Sequence, residues 1–283
     1  VFVEVKEIKL VDTNLNLKPK RTLVLGDQHG AYKAVQQVLG ASGFNLETDL
    51  IINLGDVVDG WPHSAELVQF WIDLEKKCSF KPIFLRGNHD DWAWEWIQTG
   101  IKKDMWINQG GQSTYDSYQK CRHFDFDAHY NFFKYLHHYY IDDQNRLFLH
   151  AGFTSHRGVK DEIHKPNFWW DRTLWESAVA AKRVKDPLHI PKRFKNYKEI
   201  YIGHTTTVNW DYKKNWDENG KLGTKIVTPM NSHNVWNLDT GCGFAGKLTI
   251  MDINSKEYWQ SDFVNTLYPN VKGRGKFKRN WKK

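Results

Sequence analysis

Cysteine is scarce in this chain: Cys78, Cys121 and Cys242 are the only three among 283 residues. They are too few and too scattered for a disulfide framework or a cysteine-based zinc site. A reducing, cytoplasmic location is the expectation. Long apolar runs are missing too. Nothing approaches the roughly 20 residues that a membrane-spanning helix needs, so no membrane partner is expected. Residues 1–10 alternate apolar with charged residues and hold no signal-peptide core. There is no internal repeat and no Pro/Gly/Ser linker. What is abundant is aromatic: 14 Trp, 12 Tyr and 16 Phe. With 40% hydrophobic and 26% charged residues, the composition is globular. The length suits one large domain or two small ones, with a core of its own. The Trp and Tyr residues at helical spacing read as core.

Acidic residues are absent from one end. The last twelve positions carry Lys272, Arg274, Lys276, Lys278, Arg279, Lys282 and Lys283 and no acid. Those seven equal the whole excess of 40 bases over 33 acids, so the net charge of +7 belongs to the tail and not to the domain. Such a tail is either a solubilising terminus or an arm for nucleic acid or an acidic partner. Phe277 and Trp281 lie within it.

The early chain alternates strand and helix signals. Residues 21–26 form an apolar run ending in Gly26, and 31–39 read as a helix. The run 50–55 is followed by a helix over 64–78, in which Leu67, Phe70, Trp71 and Leu74 recur at helical spacing. Strand 82–85 precedes a Trp-rich helix over 92–97. This βαβαβα order predicts a parallel sheet with covering helices. Further on, 125–138 and 170–184 read as helices. Strands are predicted over 146–149, 199–202 and 234–238, with a hairpin of 247–252 and 257–261.

The unusual residues gather at strand ends, where ligands bind in α/β sheets. Gly26-Asp27-Gln28-His29-Gly30 follows the first strand, Gly55-Asp56-Val57-Val58-Asp59 the second and Gly87-Asn88-His89-Asp90 the third. His150-Ala151-Gly152 and Gly203-His204-Thr205 follow two later strands. Carboxylate oxygens and imidazole nitrogens together suit Mn, Fe, Zn or similar divalent ions. One carboxylate shared by two ions gives a two-metal site suited to in-line phosphoryl transfer. One Asp-x-His alone is weak; five such blocks in this order are a strong signal.

These residues resemble the calcineurin-like metallophosphoesterases, and within them the phosphoprotein phosphatase branch. That branch includes bacterial and phage serine/threonine phosphatases and diadenosine tetraphosphatases. The resemblance spans residues 22–252 and includes Leu85-Arg86 before the third block, Trp170-Asp171-Arg172 and Asn237-Leu238-Asp239-Thr240-Gly241. It implies an α/β fold of two packed mixed β-sheets flanked by helices, an α/β/β/α sandwich. The implied organisation is a catalytic domain over 1–264, with a helical insert at 157–198, and a basic tail over 265–283. It implies two divalent metal ions, first Mn, with Fe, Zn or Ni as alternatives. Asp27 and His29 would hold the first, Asp56 would bridge, and Asn88, His150 and His204 would complete the second. A water or hydroxide between the ions would attack directly, without a phosphoenzyme. His89 would be the general acid, oriented by Asp59. Arg172 would bind phosphate; Arg86 is either a second phosphate ligand or a structural ion pair.

Two departures stand out. The family usually reads Gly-Asp-x-Val-Asp-Arg-Gly in the second block, but Gly60 and Trp61 follow Asp59 here, so the phosphate-gripping Arg is missing. Trp61 is either a platform for an aromatic group or a core cap. The third block ends in Asp90, where eukaryotic phosphatases have Glu. The expected activity is phosphomonoester hydrolysis, with phosphoserine or phosphothreonine the first substrates. The alternatives are a nucleotide or nucleic-acid phosphoesterase, acting on dinucleoside polyphosphates, cyclic nucleotides or RNA ends, or an inactive binding protein of this fold. Of the remaining histidines, His63 is the best outside candidate.

Overall fold

The computed structural model describes residues 18–121, 124–210 and 227–274. Residues 1–10, His123 and the tail from residue 275 onward, including Phe277 and Trp281, lie outside the described residues. Along the chain come β1 (Arg21–Leu25), α1 (Tyr32–Ser42), β2 (Asp49–Asn53), α2 (Ser64–Lys77), β3 (Ile83–Phe84) and α3 (Asn88–Thr99). Then follow α4 (Asp104–Trp106), α5 (Gln112–Lys120), α6 (Phe126–Lys134), β4 (Tyr139–Ile141) and β5 (Arg146–Leu149). The remainder holds α7 (Asn167–Trp170), α8 (Thr173–Ala181), β6 (Glu199–Ile202), β7 (Met230–Ser232), β8 (Val235–Asn237), β9 (Thr249–Asp252), β10 (Tyr258–Gln260) and α9 (Val264–Leu267).

The period of two along each strand builds the layers. In β1, Leu23 and Leu25 face a cluster with Val35, Val68 and Trp71 from α1 and α2, while Val24 faces the opposite way. Ile51 and Ile52 of β2 divide likewise. In β5 and β6, Leu147, Leu149, Ile200 and Ile202 face Leu174, Trp175 and Ala178 of α8, while Phe148 and Tyr201 turn inward. The inward set of both sheets, with Leu54, Leu238 and Met251, forms the central cluster. There Phe148 and Tyr201 stack with centroids 4.9 Å apart. The result is helix, sheet, sheet, helix, as the resemblance implied.

The first sheet runs β10-β9-β1-β2-β3 and the second β4-β5-β6-β8-β7. β1, β2 and β3 are parallel, as are β5, β6 and β8. Both sheets are mixed rather than wholly parallel, because β9 returns antiparallel against β1 and β4 against β5. The expected late hairpin is β9 with β10. The helix expected over 170–184 is split. The Asp171 carboxylate accepts from the backbone N–H of Thr173 (3.1 Å) and Leu174 (2.9 Å), capping α8 afresh. That break leaves Arg172 at the joint between α7 and α8. α5 was not anticipated, because Gln112-Ser113-Thr114-Tyr115-Asp116-Ser117 carries no apolar period.

Candidate active site

Five loops leave the carboxyl ends of β1, β2, β3, β5 and β6 and bring Asp27, His29, Asp56, Asp59, Asn88, His89, His150 and His204 into one buried cluster. The loops are held by each other's backbone. The Asp90 carboxylate accepts from the N–H of Asp56 (2.7 Å), Val57 (2.8 Å) and Gly87 (2.9 Å), so it ties the second loop to the third. The Asp departure at position 90 is therefore a loop anchor. Asp56 Oδ1 accepts from the His89 N–H (2.9 Å), in the first turn of α3, where helix N–H groups favour an anion.

The approach of these loops is close. A Cβ on Gly203 would lie 2.0 Å from Asp27 Oδ1, and one on Gly87 2.1 Å from Asp56 Oδ1. His29, Asp56, Asp59 and His204 all have positive φ, from 51° to 75°. Non-glycine residues there cost about 1–3 kcal/mol each, and four of the seven among the described residues lie at this site.

The imidazoles are oriented by backbone carbonyls. His29 Nδ1 lies 3.2 Å from the Val58 carbonyl and His150 Nδ1 2.8 Å from that of Leu54. Each turns its Nε2 toward Asp56, at 3.6 and 3.5 Å. Asn88 Oδ1 sits between His150 Nε2 (3.2 Å) and His204 Nδ1 (2.9 Å). Two groups of side chains have ligand atoms close enough to share an ion: His29, Asp56 and His89, and Asp27, Asp56 and His150. Asp56 belongs to both. His89 falls in the first group although the sequence cast it as an acid; its Nδ1 is 2.7 Å from Asp59 Oδ2. Asp59 also accepts from Trp106 Nε1 (2.7 Å) and Thr114 Oγ1 (2.7 Å).

Burial governs the ionisation of the cluster. It pushes Asp27 and Asp59 well above the usual carboxylate range and Asp56 up to about 7. It holds His29, His89 and His204 well below the ordinary imidazole value and His150 down to about 4. Neutral imidazoles and mutually repelling carboxylates are a donor set that divalent cations relieve. The Nε2 atoms of His89 and His204 are buried without a hydrogen-bond partner among the described residues. The residues present therefore fit the cations that the sequence implied.

The two arginines part company. Arg172 donates from Nη1 to the His204 carbonyl (3.3 Å) and Thr205 Oγ1 (3.1 Å) and lines a cavity of about 240 Å³ with His204, Thr206, Asp239 and Phe244. Arg86 is committed to Asp91 (2.9 Å) and the Phe133 carbonyl (2.9 Å). Those are the partners of a structural ion pair. Trp61 is fully buried, donates from Nε1 to the Cys242 carbonyl (2.7 Å) and stacks on Tyr268. It is a core cap and no ligand platform. His63 packs on Tyr268.

Three residues at the site carried no role in the sequence reading. Asp239, beyond β8, is buried and repels Asp27 and Asp56; it was one more Asp at a strand end. Trp170 sits 39% exposed with its ring 6.2 Å from His204. Arg274, far along the chain, places Nη1 3.3 Å from His29 Nε2; no spacing in the sequence points to it.

A family model described as calcineurin-like phosphoesterase matches residues 20–240. The serine/threonine-protein phosphatase 2 of Escherichia coli K12 is 33% identical over 93 residues, which cover 33% of this chain and 39% of that protein. The asymmetrical bis(5'-nucleosyl)-tetraphosphatase PrpE of Bacillus cereus is 23% identical over 242 residues, covering 80% of this chain and 87% of that protein. A solved protein serine/threonine phosphatase from Saccharomyces cerevisiae superposes with a TM-score of 0.53 at 13% identity, covering 92% of this chain and 84% of that one. That likeness is one of fold.

Proposed function

The chain belongs to the calcineurin-like phosphoesterase family, a hydrolase family acting on phosphoesters, and from that premise we propose that it is a two-metal phosphomonoesterase. The observation that carries the reading is Asp56, whose carboxylate belongs to both candidate ion-holding groups. Asp27, His29, Asp56, Asn88, His150 and His204 would hold two divalent cations, Mn first. Bound cations would lower the pKa of a water and neutralise phosphoryl charge.

The protein's own residues do the rest. Arg172, forked toward the cavity, grips the non-bridging oxygens of the phosphate. Water attacks phosphorus in line and the ester P–O bond breaks. In its protonated form, which the negative charge of a bound phosphate and the Asp59 carboxylate favour over the neutral imidazole, His89 gives the Nε2 proton to the leaving oxygen while Asp59 accepts from Nδ1, and the proton lost by the attacking water replaces it. The products are an alcohol and inorganic phosphate. Burial of the whole cluster strengthens each of these interactions. The expected location is cytoplasmic; among the described residues, no helix is long and apolar enough to cross a membrane.

A second reading, hydrolysis of a dinucleoside polyphosphate, is favoured by Trp170. Its half-exposed ring beside His204 offers a stacking face for a base, and the Bacillus cereus relative carries that name. The test is turnover of p-nitrophenyl phosphate, a phosphopeptide and diadenosine tetraphosphate with Mn²⁺. Asp56→Asn and His89→Asn are run beside the unmodified protein, and both are expected to lose activity. Full activity in Asp56→Asn would falsify the two-metal reading. Preference for diadenosine tetraphosphate, lost in Trp170→Ala, would select the second reading.

A further inference from the structure

We propose that Arg274, delivered by the C-terminal segment, is a phosphate-gripping side chain of this site and occupies the space left by the glycine at position 60. The inference rests on the phosphoesterase reading above and adds a residue to it. The second block lacks its arginine, yet the site has not lost that guanidinium. A Cβ built on Gly60 would lie 2.8 Å from Arg274 Cγ, one on Gly110 3.1 Å from the same carbon, and one on Gly243 2.9 Å from Arg274 Cδ. Three glycines from separate segments thus clear the passage through which this side chain reaches the cluster.

The segment is fixed as it enters. Tyr268, 4% exposed, stacks on Trp61 with centroids 5.2 Å apart. Its hydroxyl accepts from the Lys33 N–H (3.0 Å). The Arg274 N–H donates to the Gly243 carbonyl (2.9 Å). Trp61 and Gly60 therefore act together: one is the floor for the segment, the other the opening for its arginine. Inside, Arg274 Nε donates to the Gln109 carbonyl (3.3 Å), Nη1 lies 3.3 Å from His29 Nε2, an atom that a bound cation would take in its place, and Cζ lies 5.0 Å from the Phe244 ring centre. Arg274 and Arg172 line the same cavity with Asp239 and Thr206. The positive charge of Arg274 opposes the upward push that burial gives Asp27, Asp56, Asp59 and Asp239. Two guanidinium forks converging beside a cluster built for cations suit the oxygens of a phosphate dianion.

The experiment is titration calorimetry of inorganic phosphate into Mn²⁺-loaded protein, with p-nitrophenyl phosphate kinetics and metal content on the same samples. Arg274→Ala is expected to weaken phosphate binding and lower kcat/KM by roughly 10- to 100-fold, with metal content unchanged. Arg274→Lys, which keeps the charge and the fold without the fork, should fall between. Millimolar guanidinium should restore part of the activity of Arg274→Ala. Lys272→Ala, an exposed cation of the same segment, should leave phosphate affinity as it was. If Arg274→Ala and Arg274→Lys bind phosphate within twofold of the parent, the proposal is overturned while the phosphoesterase reading stands. If Arg274→Ala instead gains metal affinity and activity, Arg274 is a cation surrogate that blocks the site, and the proposal is again overturned. If the parent neither turns over any phosphoester nor binds phosphate, the phosphoesterase reading fails and this proposal falls with it.

Discussion

Gly203→Ala tests the site without replacing any of its functional side chains. The added methyl would lie 2.0 Å from Asp27 Oδ1 and 3.1 Å from Asp27 Cγ. Ordinary contact begins near about 3.4 Å, so something must move by roughly 1 Å or more. The backbone is not free to give way. The Gly203 N–H donates to the His150 carbonyl (2.8 Å), and the next N–H, of His204, donates to the Asp27 carboxylate (3.1 Å). Asp27 therefore yields. A displacement of about 1 Å in a catalytic constellation costs on the order of 100-fold in rate. Overpacking itself costs about 1–3 kcal/mol, or roughly 2–12 °C in melting temperature at this chain length. The assay is p-nitrophenyl phosphate turnover against Mn²⁺ concentration, with thermal melting. The expected result is about a 100-fold loss of kcat/KM and a higher Mn²⁺ midpoint. Gly40→Ala, in α1 with nothing within 4 Å of the added methyl, is the contrast. It should stabilise by about 0.4–1 kcal/mol and leave activity alone. A Gly203→Ala protein with parental turnover and Mn²⁺ dependence would refute the placement of Asp27 in the working site.

Asp59→Asn keeps the shape of the dyad, because His89 and Trp106 share Oδ2 while Thr114 meets Oδ1 alone. The amide cannot supply the negative charge that a protonated His89 would draw out of Asp59 against its burial, so kcat should fall by about 5- to 30-fold at constant KM, since bonds to charged groups exceed neutral ones by about 1–2 kcal/mol; parental kcat would remove Asp59 from the mechanism. His129 is buried between Tyr118 (2.8 Å) and Gln69 (3.1 Å), and burial lowers it to about 4 from 6.5. Its folded pKa is depressed, so its contribution is whole above pH 6.5 and lost as pH falls toward 4, by up to about 3 kcal/mol. Urea unfolding at pH 7 and pH 4.5 should show a shallower acid loss in His129→Gln; equal losses would sink the assignment. Chelation followed by dialysis should abolish turnover and lower the melting temperature, and Mn²⁺ should restore both; undiminished turnover without added metal would contradict a cation-dependent site.

The sequence by itself determined the parts that depend on neighbours along the chain. The unbroken apolar runs Leu23-Val24-Leu25 and Leu147-Phe148-Leu149 marked strands, and the fold buried both of their faces. The blocks around Asp27, Asp56, Asn88, His150 and His204 announced their chemistry because each sits where its strand ends. Only the tertiary structure decided what distant segments do to one another. Asp90 as a loop anchor, Trp61 as a core cap and Arg86 as an ion-pair partner each depend on which backbone arrives opposite. α5 left no trace because its polar sequence is helical through packing on α2 and not through its own period. Arg274 lies over 200 residues from Gly60 in sequence, and only the fold brings its side chain beside that glycine. Local periodicity encodes elements; the third dimension alone brings a side chain into the space that a glycine leaves open.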